Sequence, residues 1–165
     1  MRTDIDLGPL MRESTEMLSP LIAEKQQVIR LDHCEPDSTI AVGDPDKVRQ
    51  IAINLISNAL KYSPASSGII VRCGRADSAV FFEIQDHGSG IAPDKVEAIF
   101  LPFVQLPGGA ADRQGGVGLG LAIARRLARG MSGDLTVDSV EGRGSTFRLS
   151  LPVGGRTRRH DDAPT

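Results

Sequence analysis

No stretch of this chain approaches the roughly 20 consecutive apolar residues of a membrane-spanning helix. The N-terminus also lacks a signal-peptide pattern. These absences set the expectation of a cytoplasmic protein, or the cytoplasmic part of a membrane-bound sensor, making no membrane contact of its own. An excess of one charge is missing too. The 19 Lys and Arg against 21 Asp and Glu leave a net −2, which removes the electrostatic reason to expect nucleic acid or an anionic membrane. Cysteine is scarce. Cys34 and Cys73 stand apart without metal-ligand spacing; one disulfide is conceivable, but two reduced thiols suit a cytoplasmic protein better. There are no internal repeats. Two phosphate-binding signatures are also absent, since neither G-x-x-x-x-G-K-[ST] nor G-x-G-x-x-G occurs. A nucleotide site in this chain would have to be of another type.

What is present suits a single soluble domain. The chain has 165 residues, 40% of them apolar, enough for a substantial core. Eighteen glycines without a period point to sharp turns or to backbone approaching a ligand. Strands are expected at 4–7, 27–32, 38–43, 69–75, 79–86, 134–139 and 145–152. Helices are expected at 8–25, with a bend or break near Pro20, at 44–62, briefly from Pro93 to Phe100, and at 118–131. Asp44 is a natural N-cap before Pro45, and Ser63-Pro64 stops the same helix. Residues 101–117 read as a long loop, which in a compact domain is usually functional or mobile. Residues 154–165 are polar and read as a disordered tail. The element order suggests a mixed α+β layer with helices on one face of the sheet.

The 44–62 helix carries an oddity. Asn54, Asn58 and Lys61 fall four and three residues apart and so share a face. Apolar flanks come from Val48, Ile51, Ala52, Leu55, Ile56 and Ala59. A buried amide without a partner costs about 1–3 kcal/mol, so the stripe needs partners. One reading has the amides bonded to neighbouring loops while Lys61 reaches water. The other turns the stripe toward a polyanion, with amide oxygens as hard ligands for Mg²⁺ and Lys61 as a point charge for phosphate. Two glycine clusters follow. In DHGSG (86–90), Gly88 and Gly90 permit positive φ and close approach. Asp86 at the strand end can accept from an exocyclic amine, which suits adenine better than guanine; the bland alternative is a tight turn capped by Asp86. GGVGLGLAIARRLA (115–128) opens a helix, whose free N–H groups suit an anion unless the glycines are only a hinge. EGRGSTFRLSLP (141–152), taken alone, says hairpin.

Together, in this order, these pieces resemble the ATP-binding catalytic domain of bacterial sensor histidine kinases, within the superfamily shared with gyrase, the Hsp90 chaperones and MutL. DPDKVRQIAINLISNALKYSP (44–64) looks like its N box, DHGSGIAP (86–93) its G1 box, IFLPFVQ (99–105) its F box and GGVGLGLAIARRLARGMSGDL (115–135) its G2 box. EGRGSTFRLSLP resembles the final glycine turn and strand, so the likeness covers roughly residues 4–153. It implies one catalytic domain over 1–153 with the Bergerat fold, a two-layer α/β sandwich of about five mixed strands under three helices, with 101–117 as a mobile ATP lid. The implied cofactors are ATP and Mg²⁺. By motif position, Asn58 would ligate Mg²⁺ with Asn54 assisting, Lys61 would reach the phosphates and Tyr62 would pack near the adenine. Asp86 would bind the adenine amine, and Gly88 and Gly90 would shape the pocket floor. Gly116, Gly118 and Gly120 would hinge the lid and offer N–H groups to phosphate, with Leu119 beside them and Arg113 and Gln114 in the lid.

Position 54 separates the superfamily's branches. Its ATPases carry Glu there as a base; the amide of Asn54 cannot take a proton from water, which favours phosphoryl transfer over hydrolysis. A complete kinase also needs a phosphoacceptor histidine on a dimerising hairpin. His33, His87 and His160 all lack that context. The expectation is therefore a catalytic domain that acts on a dimerisation and phosphotransfer domain absent from this chain, serves a response regulator indirectly, and is monomeric by itself. Two other readings are a nucleotide-binding regulatory or docking module without catalysis and an anti-sigma-type serine kinase.

Overall fold

The structure is a computed structural model and describes residues 1–102 and 120–155. The longest helix shows why the sequence folds as it does. Asp44 leaves the helical region (φ −98°, ψ 116°) and its side chain accepts from the Asp46 backbone N–H at 3.0 Å. Pro45 takes the first helical position, where a missing N–H costs nothing. The helix α3, Pro45–Tyr62, then runs until Ser63 turns extended (ψ 138°) ahead of Pro64, as a residue before proline must. Val48, Ile51, Ala52, Leu55, Ile56, Ala59 and Leu60 line its buried face. Each large aliphatic side chain there contributes about 1.5–3 kcal/mol by leaving water.

The described residues include seven strands: β1 (Thr3–Asp6), β2 (Ile29–Asp32), β3 (Ile40–Gly43), β4 (Ile69–Ala76), β5 (Ala79–Gln85), β6 (Asp134–Val140) and β7 (Gly144–Pro152). Five form one mixed sheet in the order β2-β4-β5-β7-β6, parallel between β2 and β4 and antiparallel elsewhere. This is the expected five-strand sandwich. β1 and β3 pair antiparallel as a separate ribbon. The other helices are α1 (Leu7–Met17), α2 (Ser19–Glu24) and α4 (Gly120–Gly130). The helix expected over 8–25 breaks at Leu18, two residues before Pro20. The short helix expected from Pro93 resolves into two 3₁₀ turns, Pro93–Lys95 and Ala98–Phe100.

Helices α1, α3 and α4 pack together against one face of the sheet. The core between the layers is built from Leu7, Met11, Ile51, Leu55, Ile56, Phe82, Ile84, Leu135 and Leu149, all essentially inaccessible. The opposite face is held by a row of alternating charge in register across the sheet. Asp32 pairs with Arg72, Arg72 with Glu83, and Glu83 with Arg148. Opposite charges directly across strands stabilise the pairing, and the Arg148 guanidinium also lies 3.8 Å over the Phe81 ring. At the chain's far end, Gly154 donates to the Ile40 carbonyl at 2.8 Å and Gly155 to Asp4 at 3.2 Å. These bonds hold Gly154 and Gly155 against β1 and β3. Residues 156–165 lie outside the described residues.

Candidate active site

Three features build the site around α3. The first is the turn after β5. Asp86 stands one residue beyond that strand and is only 7% exposed. Its Oδ1 accepts from Gly88 N–H at 2.9 Å, and its own N–H donates to Ser145 O at 2.9 Å. Burial pushes the carboxyl up from its ordinary range, while backbone groups of Gly88 and Ser145 and the neighbouring His87 pull the other way. A buried carboxylate in this state gains from a neutral N–H donor, which adds a hydrogen bond without a second charge to desolvate.

The second is the contact of that turn with the end of α3. A Cβ on Gly88 would lie 2.4 Å from the Tyr62 carbonyl oxygen. Only glycine lets the two backbones meet here, so the Asp86 turn is seated against the C-terminal end of the polar stripe. The third is α4. A Cβ on its first residue, Gly120, would lie 2.6 Å from Asn54 Nδ2. Gly120, where α4 begins among the described residues, therefore packs against the Asn54 amide. Asn54 and Tyr62 are eight residues apart, about 12 Å along the axis at the usual rise. Asn58 and Lys61 lie between them on that face, and all four are partly exposed. The structure thus brings Asn54 and Gly120 together at one end, and Tyr62, Asp86 and Gly88 at the other. Arg113, Gln114, Gly116, Gly118 and Leu119 lie outside the described residues.

Sequence reading missed the scaffold behind the turn. The β6–β7 hairpin, which alone said nothing about function, buttresses DHGSG from behind. A Cβ on Gly90 (φ +69°) would lie 2.2 Å from Val140 O, and one on Gly144 (φ +111°) would lie 2.2 Å from Asp86 O. Ser139 Oγ accepts from Ile91 N–H at 2.8 Å and donates to Gly144 O at 3.0 Å. The pair of glycines in EGRG was the available signal; Ser139 left none. Arg125 was also missed. It places its guanidinium 4.2 Å over the Phe100 ring and donates to Glu97 at 3.1 Å, tying α4 to the 3₁₀ turn.

Among the described residues no group of three or more His, Cys, Asp and Glu could hold a metal ion. The oxygen donors on the polar stripe of α3 are the amide oxygens of Asn54 and Asn58. They suit Mg²⁺ only as a minority of its six ligands, the others being phosphate and water oxygens. A metal that fits these residues is one that arrives with a phosphate ligand.

Comparison with known proteins places this geometry. Residues 43–155 match the family described as histidine kinase-, DNA gyrase B-, and HSP90-like ATPase. The chain belongs to that family. Its relatives include the sensor protein TorS of Escherichia coli (strain K12), 38% identical over 148 residues, which are 88% of this chain and 15% of TorS. The adaptive-response sensory kinase SasA of Synechococcus sp. (strain JA-3-3Ab) is 36% identical over 151 residues, 91% of this chain and 39% of SasA. Of solved structures, the catalytic domain of histidine kinase ThkA superposes with a TM-score of 0.79 at 23% identity, over 93% of this chain and 98% of that one. Full-length ShkA in complex with AMPPNP matches with a TM-score of 0.79 at 34% identity, over 93% of this chain and 31% of ShkA. The chain spans a minor share of the curated sensor kinases it matches, and what it corresponds to in them is the ATP-binding catalytic part of the histidine-kinase fold.

Proposed function

We propose that this histidine-kinase catalytic domain binds Mg-ATP along the polar face of α3 and donates the γ-phosphate to a histidine on a dimerisation domain outside this chain, in two-component signalling. The observation that carries this reading is the bracketing of one amphipathic helix by a buried carboxylate at one end and a helix opening at the other. Asp86 accepts the adenine amine, partly through water. Tyr62 lies against the base, and Gly88 and Gly90 keep the floor free of side chains. Asn58 ligates the metal with Asn54 assisting, Lys61 reaches the phosphates, and Gly120 leads the α4 N–H groups toward them. Gly116, Gly118, Leu119 and Arg113 complete the phosphate side. The metal, when bound, neutralises phosphate charge and orients the transferring group. Asn54, lacking a basic carboxylate, leaves water unactivated, which suits transfer to histidine. The setting is the cytoplasm, and the chain alone is a monomer.

Calorimetric titration of ATP and a non-hydrolysable analogue, with and without Mg²⁺, tests the site. Wild type is expected to bind, Asp86→Ala to lose binding, and Asn58→Ala to lose the Mg²⁺ dependence. No heat for wild type at millimolar ATP, where binding would be worth only about −4 kcal/mol, overturns the reading.

A further inference from the structure

The two cysteines, 39 positions apart in sequence, meet in the core. Cys34 Sγ lies 3.2 Å from Cys73 Sγ, and the residues are 0% and 2% exposed. A disulfide needs about 2.05 Å, so closure takes only about 1.2 Å of travel. Both are free thiols, as the sequence suggested, but they are not independent. Cys73 is fixed in the middle of β4, opposite Phe82. Cys34 sits in a different environment. It is the one buried residue of the irregular segment 33–38, where His33 (φ 58°) and Asp37 (φ 63°) adopt left-handed conformations. That segment is docked on α1 by two contacts. Arg12 Nε donates to the Cys34 carbonyl at 3.2 Å, and Gly8 leaves room for it, since a Cβ there would lie 2.6 Å from the same oxygen. Short irregular segments with exposed backbone open locally without unfolding the sheet, so Cys34 is reachable by a small solute while Cys73 stays in place. The two sulfurs also differ in acidity. A hydrogen bond from Cys73 and then the Arg12 charge favour the Cys34 thiolate, while Cys73 is pushed up by its contact with Cys34 and by burial.

We propose that Cys34 and Cys73 are a modification site at which a hydroperoxide closes a reversible disulfide. The Cys34 thiolate attacks the peroxide oxygen, forming an S–O bond and breaking O–O. With hydrogen peroxide the leaving hydroxide takes a proton and departs as water. The Cys73 sulfur then attacks the Cys34 sulfenic sulfur; the S–S bond forms, and hydroxide leaves with the Cys73 proton as a second water. Two thiols are oxidised and one peroxide is reduced. The bridge fastens the 33–38 segment to β4 and closes a loop that contains all of α3. The proposal does not depend on what that helix binds.

The test uses the full, reduced chain and hydrogen peroxide. The expected product is a monomer lighter by two hydrogens, with a Cys34–Cys73 cross-linked peptide that dithiothreitol reverses. A loop of this length should also raise the Tm by about 10 °C. Cys73→Ala is expected to stop at a sulfenic acid on Cys34, trapped by dimedone, whereas Cys34→Ala leaves Cys73 unmodified. Two alkylatable thiols surviving peroxide, a dimer linked between chains, or overoxidation of Cys34 in wild type would each overturn the proposal. Because the wild-type peptide map is decisive by itself, a misfolded alanine variant does not blunt the test.

Discussion

Asp86 keeps a carboxylate where only 7% of the residue meets solvent, and its carboxyl is raised mainly by that burial. For a carboxyl raised above the value of 3.8 it has when exposed, the folded state holds its proton more tightly than the unfolded chain. Stability from this group is then greatest below that value and is lost as the pH rises through the folded pKa. At neutral pH the charge therefore works against folding. Asp86→Asn should lose adenine nucleotide while melting at a higher temperature than wild type at pH 7, with the gap shrinking as the pH falls toward 4. Thermal melts at several pH values check this; an Asn variant less stable than wild type at pH 7 would mean the carboxylate is structural. Gly144 shows the opposite residue-scale effect. Its φ of +111° and the 2.2 Å approach to Asp86 O leave no room for a methyl group. Gly144→Ala should cost about 1–3 kcal/mol from the backbone conformation alone and displace Asp86, so both Tm and nucleotide affinity should fall.

At the scale of elements, α3 was fully legible in the sequence because each of its signals is local. Asp44, Pro45 and Ser63-Pro64 mark its ends, and the 3.6-residue period marks its faces. Asp44→Ala should cost about 1 kcal/mol, read as a lower urea midpoint with an unchanged slope. What was not legible is non-local. Alternation tells which face of a strand is buried but not which strand lies beside it. The split of β1 and β3 into their own ribbon, the meeting of Cys34 with Cys73, and the buttress of Ser139 under Ile91 could therefore not be read. The charge row across the outer sheet face was hidden for the same reason, since its members come from β2, β4, β5 and β7. Glu83 is its hinge, with a side chain 11% exposed between two arginines that are 37% and 38% exposed. Glu83→Ala should lose about 1.5–3 kcal/mol, the range for hydrogen bonds to charged groups. Adding salt should screen the exposed arginines and narrow the difference.

At the scale of the whole molecule, the site is assembled from pieces far apart in sequence, and α3 is the member that both the Asp86 turn and α4 touch. Gly88 meets its C-terminal end and Gly120 meets Asn54, while Arg125 links α4 to the turn at Phe100. Boxes with little meaning singly became informative in order, and α3 gathers the described parts of two of them, at Gly88 and Gly120. This arrangement supplies positioning and charge but no base at Asn54, and among the described residues neither His33 nor His87 stands in a dimerising hairpin. His87, the one beside the site, is bonded through Nδ1 to the Gly68 carbonyl at 3.0 Å. The phosphate acceptor should therefore come from outside the chain. With Mg-ATP alone, the protein should acquire no acid-labile phosphate and should release ADP slowly. Adding a separately produced dimerising hairpin from a sensor kinase, with its acceptor histidine, should raise ADP release at least about tenfold, equivalent to about 1.4 kcal/mol of barrier, and place label on that histidine. Label on a partner serine would assign the serine-kinase branch instead. Tight ATP binding with no transfer to any partner would leave a domain that reads the nucleotide without using it.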